Sequence, residues 1–213
     1  MDYLELEYWS KKIPIVIQSL TKNRFNVYIC ENNKEAKTKI FSLIPETSKI
    51  GLGGSKTLEE LNIIEDLKNK NYTIINPPNI TADYSEILEQ RRLALLADAY
   101  LCSTNAITTD GFLVNIDGLS NRVAALLFGP KKVIIVAGIN KITEDIDSAL
   151  QKIKSYTAPM NAMRLKRTTP CASVGVCANC NNDDRICSNI VISGFQKDKK
   201  RIHIILIKEN LGI

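Results

Sequence analysis

The chain has 213 residues, 45% hydrophobic and 24% charged, with a mass of 23.8 kDa. That is enough apolar content for a packed core; it excludes wholesale disorder and a disulfide-built miniprotein, and no apolar stretch reaches bilayer-spanning length. The 28 Lys and Arg against 23 Asp and Glu give +5, and that excess sits between Arg164 and Arg201. A protein that coats nucleic acid is basic more widely, so the expectation is a local site for a small anion or an acidic partner face, without nucleic acid.

The start, Met1-Asp2-Tyr3-Leu4-Glu5, is acidic rather than signal-like, which makes a cytoplasmic protein the expectation. Residues 3–22 have helical spacing, with Leu4 and Tyr8, then Leu6 and Trp9, as the inner face; Pro14 predicts a kink or break because it removes a backbone donor. Phe25 to Cys30 reads as a strand, and Lys34 to Ile44 as a helix with Ala36, Ile40, Phe41 and Ile44 inward. Lys49 to Leu52 is the next strand, followed by a glycine turn and a helix from about Leu58, with Thr57 and Glu60 at capping-box spacing. Tyr72 to Ile75 is a strand closed by Pro77-Pro78, and Ser85 to Ala97 a helix. Tyr100 to Ser103 and Phe112 to Ile116 read as strands around a loop, and Ser120 to Phe128 as a short helix stopped by Gly129-Pro130. Lys132 to Ala137 is a buried strand, Thr143 to Tyr156 a helix, and Val191 to Ser193 and Arg201 to Ile207 are closing strands. This alternation predicts an α/β fold with a mostly parallel sheet flanked by helices. One domain is expected over residues 1–213, with a small cysteine-rich lobe over 164–190. Ligands of such sheets collect at the carboxyl ends of the strands.

Four places there could carry chemistry. Gly53-Gly54-Ser55-Lys56-Thr57 follows a strand and precedes a helix, which suits a phosphate or carboxylate, although the Walker and dinucleotide glycine spacings are absent. The alternative is an ordinary strand–helix turn. In the stretch from Asn105 to Gly118, two Asp-Gly steps bracket an apolar run; Asp110, Asn115 and Asp117 either ring one cleft as acid, base or hydrogen-bonding groups, or serve a hairpin with two turn carboxylates. Arg122 lies in the first turn of a helix, where its charge opposes the dipole. Either Asp117 or an anionic ligand compensates it. Cys171, Cys177, Cys180 and Cys187 form a C-x5-C-x2-C-x6-C run in a segment too polar for a core. Clustered thiols in a cytosolic chain point to a metal, either tetrahedral zinc or an iron–sulfur cluster such as [4Fe–4S]. Cys30, Cys102 and the single histidine, His203, read as structural residues.

Gly53-Gly54-Ser55-Lys56-Thr57-Leu58, Asn105-Ala106-Ile107-Thr108-Thr109-Asp110-Gly111, Asn115-Ile116-Asp117-Gly118, Asn121-Arg122-Val123-Ala124-Ala125, Phe128-Gly129-Pro130 and Gly138-Ile139-Asn140-Lys141-Ile142 follow one another as in LUD-domain proteins. The resemblance spans roughly Glu35 to Gly212, and the Pro170 to Cys187 segment is similar to a feature of short members. It implies a fold like that of ribose-5-phosphate isomerase, glucosamine-6-phosphate deaminase and CoA transferases. In that group Gly53-Gly54-Ser55 resembles a phosphate-gripping turn and Asp110-Gly111-Phe112-Leu113-Val114-Asn115 an active-site strand. It further implies a part in oxidising L-lactate to pyruvate beside iron–sulfur partner subunits. The chain lacks the repeated C-x2-C-x2-C-x3-C-P signature, so it looks like a stand-alone or C-type member. Phe112 stands where the deaminases carry His, and no clear Glu nucleophile of the transferase kind is present. A non-catalytic metabolite-binding component, or a sugar-phosphate enzyme with a zinc lobe, is the alternative expectation.

Overall fold

The computed structural model describes residues 3–76 and 82–213; the readings of Met1-Asp2 and Pro77-Pro78 lie outside the described residues. In chain order the first half holds α1 (Tyr3–Lys22), β1 (Asn26–Cys30), α2 (Asn33–Leu43), β2 (Lys49–Leu52), α3 (Lys56–Glu60), α4 (Ile63–Asn69), β3 (Thr73–Ile74), α5 (Tyr84–Leu93) and β4 (Ala99–Cys102). The second half holds β5 (Ala106–Thr108), β6 (Leu113–Asp117), α6 (Asn121–Leu127), β7 (Lys132–Gly138), β8 (Ile142–Thr143), α7 (Ile146–Lys152), α8 (Ala158–Arg164), α9 (Pro170–Val174), β9 (Asn189–Ser193) and β10 (Ile202–Ile207).

Six strands form one parallel sheet in the order β1-β10-β7-β4-β2-β3. Its central strands are apolar on both faces because helices cover both. Along β7, Val133, Ile135 and Ala137 pack with Ile13, Val16 and Leu20 of α1 and with Ala125 and Leu126 of α6. Ile134 and Val136 face the other way, onto Ala36 and Ile40 of α2, Leu58 of α3 and Ile63 and Leu67 of α4. The α/β architecture with a parallel sheet flanked by helices is thus the one the alternating pattern predicts.

A second sheet, β8-β5-β6-β9, grows from the carboxyl end of β4. Its strand alternation divides the residues of β6. Val114 and Ile116 pack outward with Ala149 of α7 and Ile153, while Leu113 turns into the main core. Asn115 and Asp117 share the inward parity of Leu113, which brings both beside α6.

Several expectations need correction. Helix α1 runs through Pro14 without a break, and its inner face is Ile13, Val16 and Leu20; Leu4, Leu6 and Tyr8 are exposed. Proline removes one amide bond, and burial of Ile13, Val16 and Leu20 on either side of it outweighs that loss. Helix α3 starts earlier than expected, with Ser55 rather than Thr57 as its cap; the Ser55 hydroxyl accepts from the Leu58 amide at 3.3 Å. Strand β5, in a stretch expected to be loop, pairs antiparallel with β6, so of the two readings of residues 105–118 the hairpin is the one that forms. The expected helix from Thr143 begins at Ile146, capped by Asp145, and continues through a π-helical turn, Ile153–Thr157, into α8. No helix among the described residues is long and apolar enough to cross a membrane.

Candidate functional site

Strand β2 leads on to β3 at one side of β4, and β4 leads on to β7 at the other, so the chain departs in opposite directions from two neighbouring strands. Such a switch point leaves a crevice at the carboxyl ends of the strands. A cleft of about 830 Å³ opens there. Its walls come from the Gly53–Thr57 turn, the Ser103–Asn105 exit of β4, Asp117 with Arg122, Lys141, and the segment from Arg164 to Ser188.

The glycine turn is shaped for close approach. A Cβ on Gly53 would lie 2.9 Å from the Cys102 Cβ and 3.4 Å from the Arg122 side chain, whereas a Cβ on Gly54 would meet nothing within 4 Å. Gly54 therefore borders open cleft. Thr57 is buried, with its hydroxyl 3.3 Å from that of Ser103, and Lys56 reaches Glu60 only at 3.8 Å.

Behind this turn lies a polar knot around Arg122. Its Nε donates to Asp117 Oδ2 at 3.0 Å. One Nη donates to the Ser103 carbonyl at 3.1 Å and to Asn115 Oδ1; the other donates to Asn105 Oδ1 at 3.2 Å and to the Ile116 carbonyl at 3.1 Å. These contacts use all five guanidinium donors. Asp117 also accepts from the Ser120 amide at 2.9 Å, and Asn105 Oδ1 from the Ile116 amide at 2.9 Å. Asn115 Oδ1 takes the Asn105 amide and the Thr104 hydroxyl, each at 3.2 Å, while its Nδ2 is a buried donor with no partner. Of the two alternatives the sequence left for Arg122, this geometry is that of the internal ion pair with Asp117. As folded, Arg122 has no donor to spare for a ligand and positions the strand ends instead.

Of the other candidates, Gly53, Gly54, Ser55, Lys56, Thr57, Asn105 and Asp117 line the cleft; Asn115 sits fully buried behind them. Asp110 does not reach it. It occupies the β5–β6 turn with Gly111, whose φ of 89° needs glycine, and accepts a hydrogen bond from the Thr108 hydroxyl. Asn23, beyond the end of α1, donates to the Gly111 carbonyl at 3.0 Å and holds that turn against the helix.

Lys141 is a cleft residue that spacing alone did not single out. It follows β7 in the Gly138-Ile139-Asn140-Lys141 turn, is 4% exposed, and donates from Nζ to the Ile213 main-chain oxygen at 2.7 Å. Burial lowers its pKa to about 8, and the cations of Lys152 and Arg122 add to the shift, with Glu60 opposing. The available signal was a lysine directly after the carboxyl end of the most apolar strand.

The cysteine segment forms one wall of the cleft. The Ser188 amide donates to the Asp117 carbonyl at 3.0 Å, Ile186 packs on Gly118, and Arg167 pairs with Asp184 at 2.8 Å. Arg185 donates to the carbonyls of Cys180 at 2.8 Å and Cys187 at 3.0 Å, which ties the ends of that loop together. Cys171, Cys177, Cys180 and Cys187 are free thiols of intermediate exposure. They fit a metal in kind, as a four-thiol set, but not in placement: among the described residues no three His, Cys, Asp or Glu side chains stand where they could hold one ion. Cys30 and Cys102 are buried, the latter's thiol pushed up to about 12 by burial. His203 contacts the Tyr28 hydroxyl at 3.2 Å and the Lys200 carbonyl at 3.0 Å near the amino end of β10, away from the cleft.

A family profile described as the LUD domain matches residues 13–207. No curated protein matches the chain. Among solved structures, the crystal structure of a DUF162 family protein from Deinococcus radiodurans superposes with a TM-score of 0.55 at 11% identity, covering 93% of this chain and 97% of that one. At that identity the likeness concerns the fold. The profile match spans most of the sequence, and the chain belongs to the LUD-domain family.

Proposed function

We propose that this LUD-domain chain binds a small anionic metabolite in the switch-point cleft, a hydroxy- or keto-acid of the lactate class. On this reading it works in L-lactate oxidation, as an enzyme or as a subunit whose electrons pass to iron–sulfur partners. The observation that carries the anion is the half-buried guanidinium of Arg91 on the cleft wall, which has no ion pair among the described residues. Beside it in the cleft, Lys56 is held to Glu60 only by a loose 3.8 Å ion pair, and Lys141 bonds the Ile213 oxygen. Cations held in a crevice concentrate small anions there. The lactate class itself comes from the family resemblance.

The chain's residues then divide into two tasks. Lys56, Lys141 and Arg91 attract and hold the anion, while Arg122 with Asp117 fixes the floor against which it lies. The four-thiol segment supplies electron transfer if it gathers an iron–sulfur cluster, or a structural brace if it gathers zinc. One observation favours a second reading. About 830 Å³ is room for a ligand well beyond lactate in size, and the open side of Gly54 leaves space for a phosphate. A sugar phosphate fits that volume better.

The test is calorimetric titration of the purified chain with L-lactate, pyruvate and ribose 5-phosphate, followed by lactate-dependent reduction of an artificial electron acceptor. Binding of the two acids supports the first reading, and turnover by the chain alone makes it an enzyme. Binding of only the sugar phosphate replaces the first reading with the second. Failure of all three to bind refutes both.

A further inference from the structure

The cleft has a side recess of about 20 Å³, room for one oxygen-sized group. Asn105, Thr157 and Asn161 line both the recess and the cleft, and Ile116, Ile153 and Ile186 make most of the remaining wall. Among the described residues no charged side chain lines the recess. Its polar residues share one property: each keeps hydrogen-bonding capacity that the protein does not use. Asn105 Oδ1 accepts from the Ile116 amide at 2.9 Å and from Arg122 at 3.2 Å, and Asn161 Oδ1 accepts from Arg164 Nε at 3.0 Å. An arginine only donates, so these contacts fix which end of each amide is the oxygen. Both Nδ2 groups are then left without a protein acceptor among the described residues. Thr157 is 3% exposed, and its hydroxyl is a buried polar atom with no partner. It ends the π-helical turn Ile153–Thr157, in which the Ala158 amide takes the Ile153 carbonyl, the acceptor on which a threonine in an α-helix falls back. Asn161 follows four residues on, on the same helix face.

We propose that this recess is the subsite for an uncharged oxygen of the ligand, the keto or hydroxyl oxygen on the carbon beside the carboxylate of a small acid. Asn105 Nδ2, Asn161 Nδ2 and the Thr157 hydroxyl are its hydrogen-bonding groups. The proposal rests on the acid reading above and names the residues that tell such an acid from a plain carboxylate. Amide and hydroxyl donors carry no full charge and suit a neutral oxygen. Arg122 and Arg164, bonded to the far ends of the two amides, polarise them as donors. A buried polar group without a partner is costly, and an oxygen in the recess removes that cost. A ligand without the oxygen leaves the donors unpaired, which discriminates more sharply than a missing apolar contact.

The experiment is calorimetric titration of the full chain with pyruvate and L-lactate, each against propionate, which has the same charge at neutral pH and lacks the oxygen. The oxygen-bearing acids are expected to bind at least about tenfold tighter than propionate. Thr157→Val removes the unpartnered hydroxyl and keeps the shape, so its melting temperature should not fall. It should weaken pyruvate binding by about three- to tenfold and leave propionate binding as it was. Asn161→Ala should do the same, while Arg164 keeps its ion pair with Glu59. Tighter binding of pyruvate alone assigns the recess to a keto oxygen, and of L-lactate alone to a hydroxyl. Propionate binding as tightly as both acids overturns the proposal while the acid reading stands. So does a preference over propionate that survives both substitutions unchanged, because the oxygen is then read elsewhere. Absence of binding for all three acids overturns the two readings together. If a variant fails to fold, the parent's preference and the other variant decide.

Discussion

Replacing Arg122 with Met separates a structural guanidinium from a ligand clamp. The side chain is 12% exposed and its partner Asp117 10% exposed, so solvent does not take over the lost contacts. The variant strands the Asp117 carboxylate and leaves the side-chain oxygens of Asn105 and Asn115 and the carbonyls of Ser103 and Ile116 short of a donor. Breaking one side of a buried ion pair costs about 3–5 kcal/mol, because the remaining charge stays desolvated. For a chain of this length each kcal/mol moves the melting temperature by about 2–4 °C, which places the expected fall near 6–20 °C. Thermal and urea unfolding measure it. Pairing Arg122→Met with Asp117→Asn removes most of the stranded charge, so the double variant should lose less than the sum of the singles, with a coupling of at least about 1 kcal/mol. A melting temperature within a degree or two of the parent, together with selective loss of acid binding, would refute the positioning role and restore the clamp.

The other predictions concern the turn, the buried lysine and the thiols. Gly54→Trp should fold with near-parental stability and abolish ligand binding, whereas Gly53→Ala should cost about 1–3 kcal/mol through its 2.9 Å clash with Cys102; unfolding curves and calorimetry read both, and the reverse pattern would place the open face on the wrong glycine. Lys141 has a folded pKa near 8, below its unfolded value, so the unfolded chain binds more protons between the two and its contribution to stability rises with pH through that window. The stability of Lys141→Met minus that of the parent should therefore be positive at pH 7, by roughly 3 kcal/mol, and shrink as pH rises towards the unfolded lysine pKa; a constant difference would contradict the buried cation. On the metal reading of the cysteine segment, which requires the four thiols to draw closer than they stand as folded, anaerobically purified protein carries stoichiometric iron with sulfide and broad visible absorption, or colourless zinc, and Cys177→Ser with Cys180→Ser loses it. Metal-free parent protein would leave the four cysteines as plain thiols.

How legible each part was depends on how far away its causes lie in the chain. Lys132 to Ala137 reads as a buried strand because from Val133 onward both of its faces are apolar, a property of the strand itself. Strand β5 has three residues, and its parallel partner β8 lies about 35 residues on (Ile107 beside Ile142), so no local pattern announces it. The first turns of α1 keep helical spacing of apolar residues, yet Tyr3, Leu4, Leu6 and Tyr8 are exposed; periodicity gives a face but not where the sheet beneath it ends. The two Asp-Gly steps make the point most clearly. Asp110 stays exposed in a turn whose Gly111 packs on the Ser19 backbone, while Asp117 is neutralised by Arg122 and Gly118 lies under Ile186 of the cysteine segment. The dipeptides are identical and their fates differ because of residues the local sequence does not contain. Lys141 follows the same logic. Its place after β7 was readable, but its lowered pKa comes from burial and then from Lys152 and Arg122, which surround it only in the folded chain. A sequence reading therefore finds the end of the strand where chemistry should be sought, and only the packing around it says which side chain is left short of a partner.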